Sequence, residues 1–166
     1  MRFLKRVLCD FRCMNPIYPM CAMVAGLVFG VVTLLSSSCH PTYRFLLLPR
    51  GALPFWLFGT LGILEFILMA AGVGGLFSLC HCGRLLVKPF LSLLFATILM
   101  MLWYHVLFHS FHFLTAVFVL LWAIGLLCMS LAWCFPFNAI SMTATALSLL
   151  IALHLLWLNI GILFLN

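Results

Sequence analysis

Five apolar stretches, each long enough to cross a lipid bilayer, constrain this sequence more than any other feature. They cover about 17–37, 54–79, 89–108, 111–134 and 138–164. A membrane helix needs about 20 apolar residues, because the hydrocarbon core is about 30 Å thick. Only 6% of the 166 residues are charged and 67% are apolar, whereas soluble domains carry about 25% charged residues. The sequence therefore predicts an all-α integral membrane protein, a bundle of five transmembrane helices.

The connections between these stretches leave no room for a separate soluble domain. We divide the chain into a basic juxtamembrane tail, residues 1–16, and a five-helix transmembrane domain, residues 17–166. The last two connections are very short, so the third, fourth and fifth helices are expected to be antiparallel neighbours. This organisation excludes an extramembrane catalytic domain and a nucleic-acid-binding module.

The distribution of Lys and Arg predicts the orientation in the membrane. Six lie in the tail and the second connection, whereas two lie in the first connection; they are Arg2, Lys5, Arg6, Arg12, Arg84 and Lys88 against Arg44 and Arg50. Cytoplasmic loops carry an excess of basic residues. We therefore expect a multi-pass protein with a cytosolic N-terminus, whose tail faces anionic lipid rather than nucleic acid.

Glu65 is the acidic residue with the most unusual position, because it lies in the middle of the second apolar stretch. The other acid, Asp10, lies in the basic tail. An ionisable group at membrane depth is costly and marks a functional site by default. Two interpretations stay open at this point. Glu65 either serves as a proton or cation relay or a ligand anchor, or it is a protonated acid bonded to a neighbouring helix.

Enzymatic chemistry and metal binding find little support in the sequence. The chain has too few acidic residues for hydrolysis by paired carboxylates or for binding the hard cations that metal-dependent phosphotransfer needs. His105 and His109 have the i, i+4 spacing of many metal ligands, and Cys80-His81-Cys82 could bind a soft metal. We favour interfacial histidines as the explanation of the first pattern, and the adjacent ligands of the second cannot easily close one tetrahedral site. We predict no catalytic residue, no metal site and no required cofactor.

Four segments, in order along the chain, carry a resemblance to a known family. The first connection reads YRFLLLP (43–49), PFWLFG (54–59) opens the second helix, WYHVLF (103–108) ends the third, and the chain closes with LNIGILFLN (158–166). These segments are similar to the patterns W-Y-x-x-L-x-K-P, P-P-x-W-x-F-G, W-x-x-L-F-F and L-N-x-x-I-x-x-L-N of the TspO family. That family is also called tryptophan-rich sensory protein, translocator protein or peripheral-type benzodiazepine receptor. The resemblance covers about residues 17–166.

The resemblance implies a TspO-like receptor or transport-type protein that binds a flat lipophilic ligand, a tetrapyrrole such as porphyrin or haem or a sterol-like molecule, between the helices. The first connection would act as a lid, and homodimers are expected. The ligand-binding residues it suggests combine aromatic rings with a few polar anchors. They are Tyr43, Trp56, Phe58, Glu65, Phe66, Trp103, Leu107, Ser148 and Asn159.

Departures from the family pattern fall at positions that line the family's pocket. Gly62 and Ile151 stand where the family has Trp, Met100 stands for Asn, and Ser148 stands for Tyr. Because two pocket Trp are missing, we do not extend the family's porphyrin breakdown to this chain. Glu65 is not part of the family pattern. Two alternatives follow: a small proton-coupled transporter in which Glu65 titrates, and a structural membrane subunit without a ligand.

Overall fold

The computed structural model describes residues 16–37, 39–80, 87–134 and 139–166, and all regular structure within these ranges is helical. Six helices are present there: α1 Ile17–Ser36, α2 Cys39–Phe45, α3 Phe55–Cys80, α4 Val87–Phe108, α5 Phe113–Cys134 and α6 Ala139–Leu165. Five of the helices in the described ranges, all except α2, are long and apolar enough to cross a membrane. The predicted all-α five-helix membrane fold is confirmed.

The helix ends differ from the predicted ranges by one or two residues. The helix α5 begins at Phe113 instead of 111, because Phe111 adopts a left-handed conformation with φ of 55°. Such a residue cannot continue a right-handed helix. The turn is closed by the His112 N–H, which donates to the Val106 carbonyl over 3.3 Å.

The short helix α2 lies inside the first connection and was not predicted. Pro41 falls in its first turn, where a missing N–H leaves no intrahelical hydrogen bond unmade. Arg44 falls in its last turn, where a positive charge interacts favourably with the helix dipole. A seven-residue helix is too short to show the periodicity that identifies longer ones.

The helices α3, α6, α5 and α4 form a closed ring in that order, and α1 packs on the outside against α3. Hydroxyl groups connect α4 to α5: Ser92 donates to the Leu126 carbonyl over 2.8 Å, and Ser130 donates to the Pro89 carbonyl over 3.4 Å. The two pairs run in opposite directions along the chain. They show that α4 and α5 are antiparallel neighbours, as the short connection predicted.

Glycines allow α1 and α3 to approach closely. A Cβ atom on Gly26 would lie 2.6 Å from the Phe66 carbonyl oxygen, and one on Gly74 would lie 2.7 Å from the Pro19 Cα. Small residues at such positions let helix backbones meet in a membrane, where van der Waals packing replaces the hydrophobic effect. The Gly26-x-x-x-Gly30 pair therefore serves helix packing.

Gly26→Ala is expected to destabilise the protein by about 1–3 kcal/mol, the usual effect of overpacking a tight contact. Gly125→Ala is the matched control, because no atom lies within 4 Å of a Cβ placed on Gly125. Both changes gain the same helix propensity. Unfolding in mixed micelles compares the two variants, and equal stability of both would contradict the proposed α1–α3 contact.

Candidate functional site

Six aromatic side chains from α2, α3 and α4 form a buried cluster, which we call the aromatic core: Tyr43, Phe58, Phe66, Trp103, Tyr104 and Phe108. Each is at most 3% exposed. The rings of Tyr43 and Phe58 stack with centroids 4.8 Å apart, and those of Trp103 and Tyr104 meet edge to face at 4.6 Å. Both geometries are favourable for aromatic pairs. The core thus presents a set of flat apolar faces inside the bundle.

Asn159 connects the aromatic core to two further helices. With its amide oriented to satisfy its neighbours, its oxygen accepts from the Trp103 Nε1–H over 3.0 Å and from the Val117 N–H over 3.1 Å. One carboxamide on α6 therefore bonds groups on α4 and α5. These bonds fix the plane of the Trp103 indole.

Glu65 lies at the contact between α3 and α6 and is fully buried. It comes ten residues after the start of α3 and fifteen before its end, so it lies near the middle of the bilayer at about 1.5 Å per residue. Ser148 donates to its Oε1 over 3.3 Å. Its Oε2 has no hydrogen-bond partner within the described residues. The carboxyl group is therefore only partly satisfied.

Further hydroxyl groups follow the same face of α6 alongside α3. Ser141 donates to the Gly72 carbonyl over 2.9 Å. Thr145 lies one turn before Ser148, and its buried Oγ1 also lacks a partner in the described part of the chain. Ser141, Thr145 and Ser148 form a polar seam between the two helices that ends at Glu65.

The aromatic core and Glu65 are neighbours along α3. Phe66 directly follows Glu65, and its ring lies 6.1 Å from that of Tyr104. The Tyr104 hydroxyl lies against Gly62, one turn before Glu65, in the space that a Cβ atom would need. Gly62 stands where the TspO pattern has Trp, and here the Tyr104 ring occupies that space.

Residues 39–54, which we call the cap, cover the aromatic end of the bundle. The Tyr43 hydroxyl donates to the Leu53 carbonyl over 2.6 Å, and Thr42 donates to the Phe108 carbonyl over 3.2 Å. Asn166 closes the cap from the end of α6. Its Nδ2 donates to the Leu47 carbonyl over 3.0 Å, and its Oδ1 accepts from the Leu47 N–H over 3.1 Å. These contacts hold the predicted lid over the core.

Eight of the nine residues suggested for ligand binding are buried in this region; they are Tyr43, Phe58, Glu65, Phe66, Trp103, Leu107, Ser148 and Asn159. Trp56 is 67% exposed, and its side chain points away from the aromatic core. The set of ligand-binding residues suggested from the sequence did not include Tyr104, Phe108 or Thr145. Tyr104 and Phe108 belong to the WYHVLF segment, and Thr145 follows the spacing of Ser141 and Ser148.

The candidate metal ligands in the described residues do not assemble into a group of three or more. His105 is exposed on α4 and His109 is exposed in the turn that follows it, and their stacked rings lie 4.7 Å apart. No group of three or more His, Cys, Asp or Glu side chains in the described ranges is arranged to hold a metal ion. The side chains of Cys80-His81-Cys82 and the basic tail with Asp10 lie outside the described residues.

Comparison with known proteins adds no family assignment. No protein-family model matches the chain, and no curated protein matches it. The resemblance to the TspO family stays a prediction from the four sequence segments.

Trp103→Phe and Asn159→Leu are expected to show an energetic coupling of about 0.5–1.7 kcal/mol, the range for hydrogen bonds between membrane helices. Each single variant leaves a buried polar group without one partner, whereas the double variant removes both groups. A double-mutant cycle of unfolding free energies measures the coupling. Strictly additive losses would contradict the Trp103–Asn159 bond.

Proposed function

We propose that this protein is a membrane receptor or transport-type protein that binds a flat lipophilic molecule inside its helix bundle. One observation carries the proposal. A single buried region combines stacked aromatic faces with a partly satisfied carboxyl group. Ligand sites are typically apolar and aromatic, with a few polar groups that fix the orientation of the ligand.

The TspO resemblance favours a tetrapyrrole, such as porphyrin or haem, or a sterol-like molecule as the ligand. Flat ring systems suit this region, because they stack on the faces of Phe58, Tyr104 and Phe108. Glu65 and Ser148 supply the polar contacts. We assign no catalytic residue, since binding alone accounts for this combination of side chains.

Ligand access requires the cap to move. The aromatic core is filled by its own side chains, and Tyr43 is the member that the cap itself contributes. Opening of the cap breaks the Asn166–Leu47 bonds and withdraws Tyr43 from Phe58 and Phe108. The faces that Tyr43 covered then become available to a planar ligand.

A neutral flat ligand, protoporphyrin IX dimethyl ester, is expected to quench the tryptophan fluorescence of the protein saturably in nanodiscs. Trp103→Phe should remove much of the saturable component, because Trp103 is buried in the aromatic core. Trp122→Phe is the matched control, since Trp122 is 71% exposed on the outer face of α5. Quenching that never saturates, or that responds equally to both substitutions, would refute binding in the core.

Proton-coupled transport is the second candidate function. The orphaned Oε2 of Glu65 and the polar seam beside it favour this alternative, because intramembrane carboxyls mark proton relays in transporters. In this case ligand release would depend on protonation of Glu65.

Glu65→Gln is expected to abolish pH-driven ligand movement in proteoliposomes while the protein stays folded. Glutamine keeps the size and hydrogen bonding of the side chain but cannot exchange a proton. Ser141→Ala serves as the control, because Ser141 lies in the same seam but donates to the Gly72 carbonyl and not to Glu65. Wild-type pH dependence in the Glu65→Gln protein would exclude this mechanism.

The proposal also covers the orientation of the chain in the membrane and its assembly. We place the N-terminus in the cytosol, on the basis of six Lys and Arg on that side against two on the other. The TspO resemblance supports a homodimer.

A further inference from the structure

We infer that the ligand carries a basic nitrogen on its flat apolar body and that the Glu65 carboxylate binds this nitrogen. The inference rests on the proposed function and adds a charge requirement to it. Of the ligands proposed above, it favours flat molecules with a basic nitrogen over tetrapyrroles whose carboxylates make them anionic.

The first argument is the absence of a countercharge within the protein's own sequence near Glu65. No Lys or Arg occurs in residues 51–83 or 89–166, so α3, α5 and α6 contain none. Lys88 lies at the start of α4, nine residues before Thr97, which contacts Met69 one turn after Glu65. That separation is about 14 Å along the helix. Among the residues that the structure describes, the titratable nitrogen on α6 belongs to His154, six residues after Ser148 with its ring stacked on Trp157, so we assign the positive charge beside Glu65 to a ligand.

The second argument is that two buried side-chain oxygen atoms lack a hydrogen-bond partner within the described residues. Ser148 occupies the Oε1 of Glu65, whereas Oε2 and the Thr145 Oγ1 have no partner within the described residues. An ammonium group offers up to three N–H donors and no acceptor. It can bond the free Oε2 of the carboxylate, and the Thr145 hydroxyl, one turn before Ser148, lies next along the same seam. A carboxylate ligand cannot donate to either oxygen.

The third argument is the aromatic surface next to the carboxyl group. Phe66 follows Glu65 in α3, and Tyr104 packs against Gly62 one turn earlier. Aromatic faces attract cations through the ring quadrupole, most strongly where water is excluded. The same rings stack on a planar body. A flat aromatic body that carries a basic alkylamine therefore satisfies the carboxyl group and the aromatic core at once.

Three fluorescent probes with one planar body separate charge from shape: 1-pyrenemethylamine, 1-pyrenemethanol and 1-pyreneacetic acid. Each is titrated into nanodiscs of zwitterionic lipid that contain the full chain. Energy transfer from tryptophan to pyrene reports binding, and empty nanodiscs correct for partition into lipid. The neutral alcohol tests the proposed function, whereas the difference between amine and acid tests the charge requirement.

We expect the amine to bind at least about tenfold more tightly than the alcohol, and the acid to bind more weakly than either. Glu65→Gln should lower amine affinity to that of the alcohol and leave alcohol affinity unchanged. Thr145→Val, which keeps the shape of the side chain, should weaken amine binding alone. Trp122→Phe should change neither affinity, because Trp122 lies on the outer face of α5.

Two results would overturn the inference. Equal affinity for amine and acid would show that charge is not recognised, and saturable binding of the alcohol would then still support the proposed function. Persistence of the amine preference in both Glu65→Gln and Thr145→Val would place the recognition elsewhere. Failure of all three probes to saturate would count against the charge requirement and the proposed function together.

Discussion

The bilayer interior cannot hydrogen-bond to the protein, and the described structure is arranged around this constraint. Several polar side chains inside the bundle bond to groups on neighbouring helices instead of to solvent. Ser92 and Ser141 donate to backbone carbonyls across helix contacts, and Asn159 accepts from both Trp103 and Val117. The bundle thus uses hydroxyl and amide groups to join helices that apolar packing alone would leave free to slide.

Glu65 differs from these residues because its hydrogen bonding is incomplete. A charged side chain at the bilayer centre costs about 3 kcal/mol on insertion scales, and one bond from Ser148 does not replace a hydration shell. Evolution of a stable bundle alone would favour an apolar residue at this place. In the function that we propose, the carboxyl group beside the aromatic core contributes to ligand recognition, and opening of the cap gives the ligand access to it.

Composition and apolar run length were enough to predict the fold, because the thickness of the bilayer fixes how long a membrane helix must be. The burial of Glu65 at membrane depth also followed from the sequence, since it lies in the middle of the second apolar stretch. The packing of Tyr104 against Gly62 could not be predicted. It depends on the distance between two helices, and a helical repeat carries no information about that distance.

The helix α2 and the cap contacts could not be predicted from the sequence either. The Asn166–Leu47 bonds join residues 119 positions apart, and no local pattern encodes such a pairing. Trp56 shows that a sequence motif can also mislead. Its motif resembles a family signature, yet a motif does not specify which way a side chain points, and the structure exposes this indole.

The most direct test of our account is isotope-edited infrared difference spectroscopy of the carboxyl groups as a flat aromatic amine binds. The chain has two acidic side chains, Asp10 and Glu65, so Asp10→Asn and Glu65→Gln assign every side-chain carboxyl signal. We predict that the Glu65 carboxyl gives its proton to the basic nitrogen as the ligand binds, so that a carboxyl band converts to a carboxylate band in the wild-type protein and in Asp10→Asn but not in Glu65→Gln. Saturable binding that leaves the Glu65 band unchanged would contradict the account.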